Sequence, residues 1–455
     1  MNRKRALVFS FLIFTLLVIN LPLKAEEVEE LKLVDAIRIS LEKNDMIQSS
    51  KLDIKKAESD LDKAWRNFWP KLDLQTSYTR LDEAPIIPGM EWKYNPIVKQ
   101  PLPIPKVEEG SPNNYNTQLK LQQPILMGTR AIIGVDLAKK GVELSKIQAE
   151  QTINDTLFQT IQSYFNLLMA EDMVQIRANA IKLIEEHQRI VEANFDAGMV
   201  LKTDILKVKI EKRKAKQELK TAQDNLHMAA RQLAQQLGLS TTDFQIANPD
   251  LEPEIDLKLD KLYQQAFRNR PELESMQVNQ EMLQTNLKME KRSKWPNIML
   301  LGNYSWQGEE LSFEDGSWNI TLSASMNIFD GGLSKKKQEG LELQLDKLNN
   351  SKESTKDMIK LDLEQALLKT KQAADSLNLQ QLSLENAKES LRLANESYKA
   401  GVGTNLDVIN AQTTLRQTEI SLMQARYQYK LSKFKLIYKT GLLMDYCEEV
   451  LNGEN

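Results

Sequence analysis

The chain has 455 residues, with 60 Lys and Arg against 63 Asp and Glu, a net charge of −3, and only 17 Gly, 14 Pro, one Cys and two His. An acidic balance argues against nucleic acid as a partner. A single Cys forbids an intrachain disulfide, and the scatter of His187, His227 and Cys447 offers no clustered ligands for metal or thiol chemistry, so no cofactor is implied. So few helix breakers, with 27% charged residues, require long uninterrupted elements with solvated faces.

At the start, Arg3, Lys4 and Arg5 precede an apolar run from Ala6 to Ile19, and Leu23-Lys24-Ala25 is followed by Glu26 and Glu27. This reads as a secretory signal peptide over 1–25. The run is shorter than the roughly 20 residues of a spanning helix, so a retained anchor is the weaker alternative. No Cys follows the cleavage site to carry a lipid. Loss of the leader leaves 56 basic residues against 63 acidic ones, a charge of −7.

The remainder is one unit written twice. Leu31-Lys32-Leu33 matches Leu257-Lys258-Leu259, and Trp69-Pro70 matches Trp295-Pro296, at an offset of 226; further on, Gly128 matches Gly331, Ala197-Gly198 matches Ala400-Gly401, Asp204 matches Asp407 and Gly238-Leu239 matches Gly441-Leu442, at 203. The difference places an insertion of 23 residues between Arg80 and Tyr115. That segment holds seven of the 14 prolines, among them Pro85, Pro88, Pro101, Pro103 and Pro105. Duplication at this period implies two similar halves, 26–243 and 257–442, joined by a linker over 244–256. An acidic tail over 443–455 is expected to be mobile.

Within each half the predicted order is helices, strand, strand, long helix, helix. Helices are expected over 31–68 and 257–294, strands over 72–80, 115–126, 298–306 and 318–329. Leu72, Leu74, Thr76 and Tyr78 alternate with polar residues, as do Trp318, Ile320, Leu322 and Ala324. Two readings fit, a half-buried sheet on a soluble core or membrane strands, whose usual length of about ten residues these match. Aromatic residues near the strand ends favour the second. Neither 129–195 nor 332–398 contains Pro, so each can be one helix of 67 residues, roughly 100 Å at about 1.5 Å per residue. The return helices, 203–237 and 404–440, are about half as long, so 47–68 and 273–294 are expected to stack on them and complete the pairing. Val408, Ala411, Leu415, Thr418, Leu422, Ala425, Tyr429, Ser432 and Leu436 step three and four without a slip, and the copy from Ile205 to Leu233 keeps the register with one charged interruption, Lys212. A sustained heptad specifies coiled-coil pairing.

Four membrane strands cannot close a barrel, and an open edge in lipid leaves backbone groups unpaired. Three copies would bring twelve strands around a lumen of Asn, Gln, Thr and Ser. The segments Asn269-Arg270-Pro271-Glu272-Leu273, Ile328-Phe329-Asp330-Gly331-Gly332, and Gly403 followed by Asp407 to Leu415 resemble the signatures of TolC-type outer-membrane efflux proteins. The resemblance spans about 31–442. It implies a mainly α protein with a membrane β-barrel, a homotrimer whose 12-strand barrel continues into a 12-helix tunnel. Its place would be the outer membrane of a diderm bacterium, with the helices crossing the periplasm. It further implies a periplasmic adaptor as partner, an inner-membrane transporter of the RND, MFS or ABC kind, and service in drug efflux or type I secretion without enzymatic activity.

In that family the tunnel closes at its periplasmic end. Asp407 matches the first of two constricting aspartates and Asn410 stands where the second would be. Tyr398 matches a closing tyrosine, Asp204 with Thr203 matches its partner region, and Gly403 occupies the place of a linking arginine. Asp407 also has a bland reading as a helix N-terminal acid, compatible with the first. Ala197, Gly198, Met199 and Val200, with Ala400, Gly401, Val402 and Gly403, form the expected adaptor-docking tips. The proline-rich insertion is expected outside the cell as a stiff polyproline-like loop. The rival readings are a periplasmic coiled-coil adaptor, which needs more strands than are visible here, and an enzyme on a helical scaffold, for which no nucleophile, phosphate loop or metal spacing is present.

Overall fold

The computed structural model describes residues 30–127, 130–242, 244–249, 251, 253 and 255–453. The leader expected over 1–25, and Gly128 and Thr129 ahead of the first long helix, lie outside the described residues. The first half comprises α1 (Leu33–Lys43), α2 (Asp45–Arg66), β1 (Lys71–Arg80), β2 (Ile86–Asn95), β3 (Gln100–Glu109), β4 (Asn113–Met127), α3 (Arg130–Asp196) and α4 (Lys202–Gln236). The second comprises α5 (Leu259–Asn269), α6 (Pro271–Lys291), β5 (Asn297–Gly308), β6 (Ser317–Ser325), α7 (Leu333–Lys399), α8 (Asn405–Thr440) and α9 (Leu443–Gly453).

The rods α3 and α7 have 67 residues each. Each is flanked by two shorter helices placed end to end: α4 then α2 along α3, and α8 then α6 along α7. The joints between them are capped from both sides. Asn44 accepts from Met46 N at 2.9 Å to cap α2, while its Nδ2 donates to Gln236 O at 2.7 Å in the last turn of α4. In the second half Arg270 Nε donates to Lys439 O at 2.9 Å, and Lys439 Nζ reaches Asp362 Oδ2 on α7 at 2.6 Å. Gly238 (φ +67°) and Gly441 (φ +79°) end α4 and α8 in the left-handed region.

Heptad positions face inward. On α8, Val408, Ala411, Leu415, Leu422, Ala425 and Leu436 are buried, and Thr418, Tyr429 and Ser432 half-buried. Lys212, the charged interruption on α4, runs its stem along the seam and puts Nζ 3.1 Å from Glu185 Oε1 of α3. The principal core lies where both halves meet, with Leu157, Ile161, Tyr164 and Phe165 of α3 against Leu33, Ile37, Leu233 and Phe434.

The four-stranded sheet has the order β1-β4-β5-β6, antiparallel throughout. Its register sorts the side chains into two faces. Leu72 pairs with Leu121, Leu74 with Leu119, Leu119 with Tyr304, Tyr304 with Trp318 and Leu300 with Leu322, all on one face; Asp73 with Lys120, Gln75 with Gln118, Gln118 with Ser305 and Asn303 with Asn319 occupy the other. Both outer strands, β1 and β6, have one edge unpaired among the described residues. No described helix is long and apolar enough to cross a membrane, which says nothing of strands.

Three expectations are corrected. The insertion is not a polyproline-like loop: 86–95 and 100–109 pair as an antiparallel hairpin, because the prolines within the two strands fall at positions where no ladder bond is lost. The strand expected over 318–329 stops at Ser325. There the chain turns into α7, and the Asp330 carboxylate takes Gly332 N at 3.0 Å and Ser334 N at 2.9 Å, with the Ser334 hydroxyl alongside. These bonds to the charged form draw the Asp330 carboxyl down to about 2, the Ser334 side chain contributing most. The acidic tail is the helix α9 over 443–453. Leu443, Tyr446, Cys447 and Leu451 recur at helical spacing and press onto the principal core, where Leu443 and Cys447 are fully buried.

Candidate functional site at the helix tips

At the far ends of the rods both turns close in the same way. Met199 N donates to Asn194 O at 2.8 Å around Gly198 (φ +75°), and Val402 N donates to Ser397 O at 3.1 Å around Gly401 (φ +74°). Ala197, Gly198 and Met199 are exposed with Val200 half-buried, and Ala400, Gly401 and Val402 are exposed with Gly403 half-buried. Met199 and Val402 project furthest, 75% and 82% exposed. Gly403 is held by close approach. A Cβ there would lie 3.0 Å from Ser397 and from Tyr398 N, so any side chain at this position would press on the preceding turn.

Thr404 caps α8 and Asp407 completes a capping box: Thr404 Oγ1 accepts from Asp407 N at 3.2 Å, and the Asp407 carboxylate accepts from Thr404 N at 2.8 Å and Thr404 Oγ1 at 2.6 Å. The two Thr404 donors hold the Asp407 carboxyl below the usual carboxylate range. The helix N-terminal role is therefore present in the geometry. The same carboxylate is exposed, as is Asn410 one turn on, so both remain available to face a channel axis.

Asp204 and Tyr398 are not brought into contact with one another. Tyr398 is buried, its ring edge-on to His187 with centroids 5.4 Å apart, and its hydroxyl has no hydrogen bond among the described residues. Asp204 instead meets Asn405, whose Nδ2 donates to Asp204 O at 3.3 Å and lies 3.4 Å from Asp204 Oδ1. Thr203 beside it is exposed. Since Asn405 donates through Nδ2, its Oδ1 is the acceptor, and His187 Nε2 donates to it at 2.7 Å. One buried amide thus ties α3, α4 and α8 together beneath the tips, within a cluster holding Ile184, Val191, Val208, Leu391 and Val408.

Sequence reasoning missed Asn405 and set His187 aside as a scattered residue with no clustered ligands. His187 is buried and carries a polar link. Neither residue type recurs at the equivalent position of the other half, where Lys202 stands for Asn405 and Ser390 for His187. Departure from the repeat was the available signal. Burial lowers the His187 pKa, the Asn405 bond opposing it less strongly, so the imidazole is neutral with Nδ1 buried and unpaired. A folded value below the unfolded one, near 6.5, means that its contribution is complete above about pH 6.5 and is lost as pH falls through the folded value. Thermal stability is expected to fall on acidification from about pH 7 to about pH 5, and a His187→Gln variant, which keeps an amide donor for Asn405 but does not titrate, should lose part of that fall.

At the opposite end Pro85, Pro88, Pro101, Pro103 and Pro105 all lie in the β2–β3 hairpin or directly at its base, with the hairpin's side chains largely exposed. Among the described residues no group of His, Cys, Asp and Glu is placed to hold a metal ion.

Known proteins share this arrangement. The chain is 20% identical over 409 residues to the outer membrane protein TolC of Escherichia coli, covering 84% of this chain and 80% of that protein. It is 21% identical over 391 residues to the alkaline protease secretion protein AprF of Pseudomonas aeruginosa, covering 80% and 79%. Among solved structures, the Campylobacter jejuni CmeC outer membrane channel superposes with a TM-score of 0.72 at 16% identity, over 93% of this chain and 89% of that one. The family model described as outer membrane efflux protein matches residues 36–239 and 262–441, so most of both repeats. The chain belongs to the outer membrane efflux proteins, non-enzymatic channels of the outer membrane that reach into the periplasm.

Proposed function

We propose that the protein is the outer-membrane exit duct of a tripartite efflux pump or type I secretion system, assembled as a homotrimer. The observation that carries this is the sheet: one apolar face and one polar face run in register across β1-β4-β5-β6, while both outer edges are left unpaired. Edges that cannot remain open in lipid call for pairing of β1 with β6 of a neighbour. Three copies of four strands make a twelve-strand barrel with a lumen of Gln, Asn, Ser and Thr, and the rods with their flanking helices continue it as a tunnel. Transport is passive in this reading. The energy comes from an inner-membrane transporter, reached through a periplasmic adaptor at the exposed tips. The rival reading as an adaptor is set aside, because the family matched is that of the channel.

Three Asp407 carboxylates converging at the periplasmic end would bind cations and repel anions. Asp407→Ala is expected to relieve divalent-cation block of conductance in planar bilayers; equal block in mutant and wild type would refute the ring. Heat-modifiable, trimer-sized migration from outer-membrane fractions tests the assembly. Crosslinking in cells from a cysteine at position 199, followed by identification of what is captured, tests the docking role of the tips.

A further inference from the structure

The β2–β3 hairpin has no counterpart in the second half, and the channel reading leaves it without a task. Gly110 N donates to Pro85 O at 2.8 Å, which fixes the phase of the ladder. In an antiparallel pair, bonded positions alternate with positions whose N–H and C=O point outward. The outward positions are therefore Ile86, Pro88, Met90, Trp92 and Tyr94 on β2, facing Glu109, Val107, Pro105, Pro103 and Pro101 on β3. Every proline within the two strands falls in this set. The hairpin loses no internal bond, and the outer edge of β3 has no N–H at three successive outward positions. That edge is blocked against strand addition, so on the β3 side docking must use a face, while β2 keeps outward N–H groups at Ile86, Met90, Trp92 and Tyr94.

The same pairs form one face, apolar except for Glu109 at the base; Met90, Trp92 and Tyr94 on it are 75%, 67% and 65% exposed. The opposite face mixes Glu91, Lys93, Lys106 and Glu108 with Ile87, Leu102 and Ile104, and Lys106 Nζ lies 2.7 Å from Glu108 Oε1. An apolar face of this extent on a single chain marks an interaction surface. Its occupant is indicated by continuity with the sheet. Leu81 N donates to Pro112 O at 2.8 Å, so the β1–β4 ladder runs to Pro112 and the β2–β3 ladder resumes at Gly110. Only Ser111 intervenes on that side. Counted along it, Pro101, Pro103, Pro105 and Val107 keep the phase of Tyr115, Thr117, Leu119 and Leu121, which belong to the apolar face of the barrel sheet. Tyr78 and Tyr115, with ring centroids 4.7 Å apart, stand at the boundary as interfacial aromatics do.

We infer that the hairpin docks by its apolar face onto the lipid of the outer leaflet, at the boundary of acyl chains and headgroups, beside the barrel. Trp92 and Tyr94 anchor it there, and the charged face stays in water. This rests on the outer-membrane placement and is independent of which pump is served. The experiment places an environment-sensitive fluorophore at Trp92→Cys or at Lys93→Cys, neighbours on opposite faces, in the full-length protein. Cys447 is buried, and an unsubstituted control measures its labelling. Readings are taken only on phosphatidylcholine vesicles that show channel conductance, so failure of insertion is told apart from failure of the inference. Lipid brominated in the upper acyl chain should quench the label at 92 about twofold or more beyond that at 93, and aqueous iodide should do the reverse. Equal iodide quenching at both positions would place the face in water and overturn the inference. Disulfide crosslinks between neighbouring copies of the unlabelled Trp92→Cys variant would overturn it too, giving the face to a second copy over the barrel mouth.

Discussion

Asn405→Ala is expected to open the periplasmic end of the channel. The amide is the acceptor for His187 Nε2 and a donor to Asp204 O, and the link sits beside a buried cluster. Removing it strands the imidazole N–H without water, a cost of about 1–3 kcal/mol. In the proposed duct that cost falls on the packing that closes the tips. Each 1.4 kcal/mol is about a tenfold shift in an equilibrium, so open probability in planar bilayers should rise about tenfold for the reconstituted protein. A double variant, Asn405→Ala with His187→Leu, removes the imidazole donor together with its acceptor and should recover most of the closure, since no unpaired imidazole N–H is left buried. Conductance unchanged in a folded Asn405→Ala protein would refute a closing role for this link.

The second large effect lies at the joints of the helix stacks. Gly441 has φ +79°, and a Cβ there would sit 2.6 Å from Asn269 O; Gly238 has φ +67° and would meet Lys43 O at 2.6 Å. The left-handed conformation alone costs a non-glycine residue about 1–2 kcal/mol, and the overlap is with backbone that cannot rotate aside. Gly441→Ala or Gly238→Ala should therefore destabilise the fold by about 2–4 kcal/mol. The comparison is Gly340→Ala within α7, where a methyl would meet nothing within 4 Å. That substitution should stabilise the rod by about 0.5–1 kcal/mol through helix propensity. Thermal unfolding of the three variants measures the contrast, and similar midpoints for Gly441→Ala and Gly340→Ala would contradict it.

The same joints show how far local pattern reaches. The offset between the two copies aligns Gly238 with Gly441 and Trp69 with Trp295, which places the ends of both stacks before any coordinate is known. The heptad from Val408 to Leu436 likewise names the seam, because a coiled coil is decided by spacing along one helix. Asn405 is a different matter. Nothing near it in the chain says that it will meet His187, 218 residues away, since the contact exists only once three helices converge. The capping box of Thr404 and Asp407 was foreshadowed as a dipole effect, yet the reciprocal bonds that define it needed the backbone of the turn.

Period, breakers and duplication were determined by the sequence alone: two rods, their return helices and an alternating sheet. These are properties of neighbours along the chain, where steric propensity and side-chain spacing act directly. Tertiary structure decided the rest. Pro101, Pro103 and Pro105 read as polyproline until a partner strand showed that they occupy outward positions of a ladder. The acidic tail read as mobile until Leu443 and Cys447 found the principal core to bury against. For the tail the deciding free energy came from surface supplied by distant segments, which no local pattern contains; for the hairpin it came from the neighbouring strand, whose register decides where each proline falls.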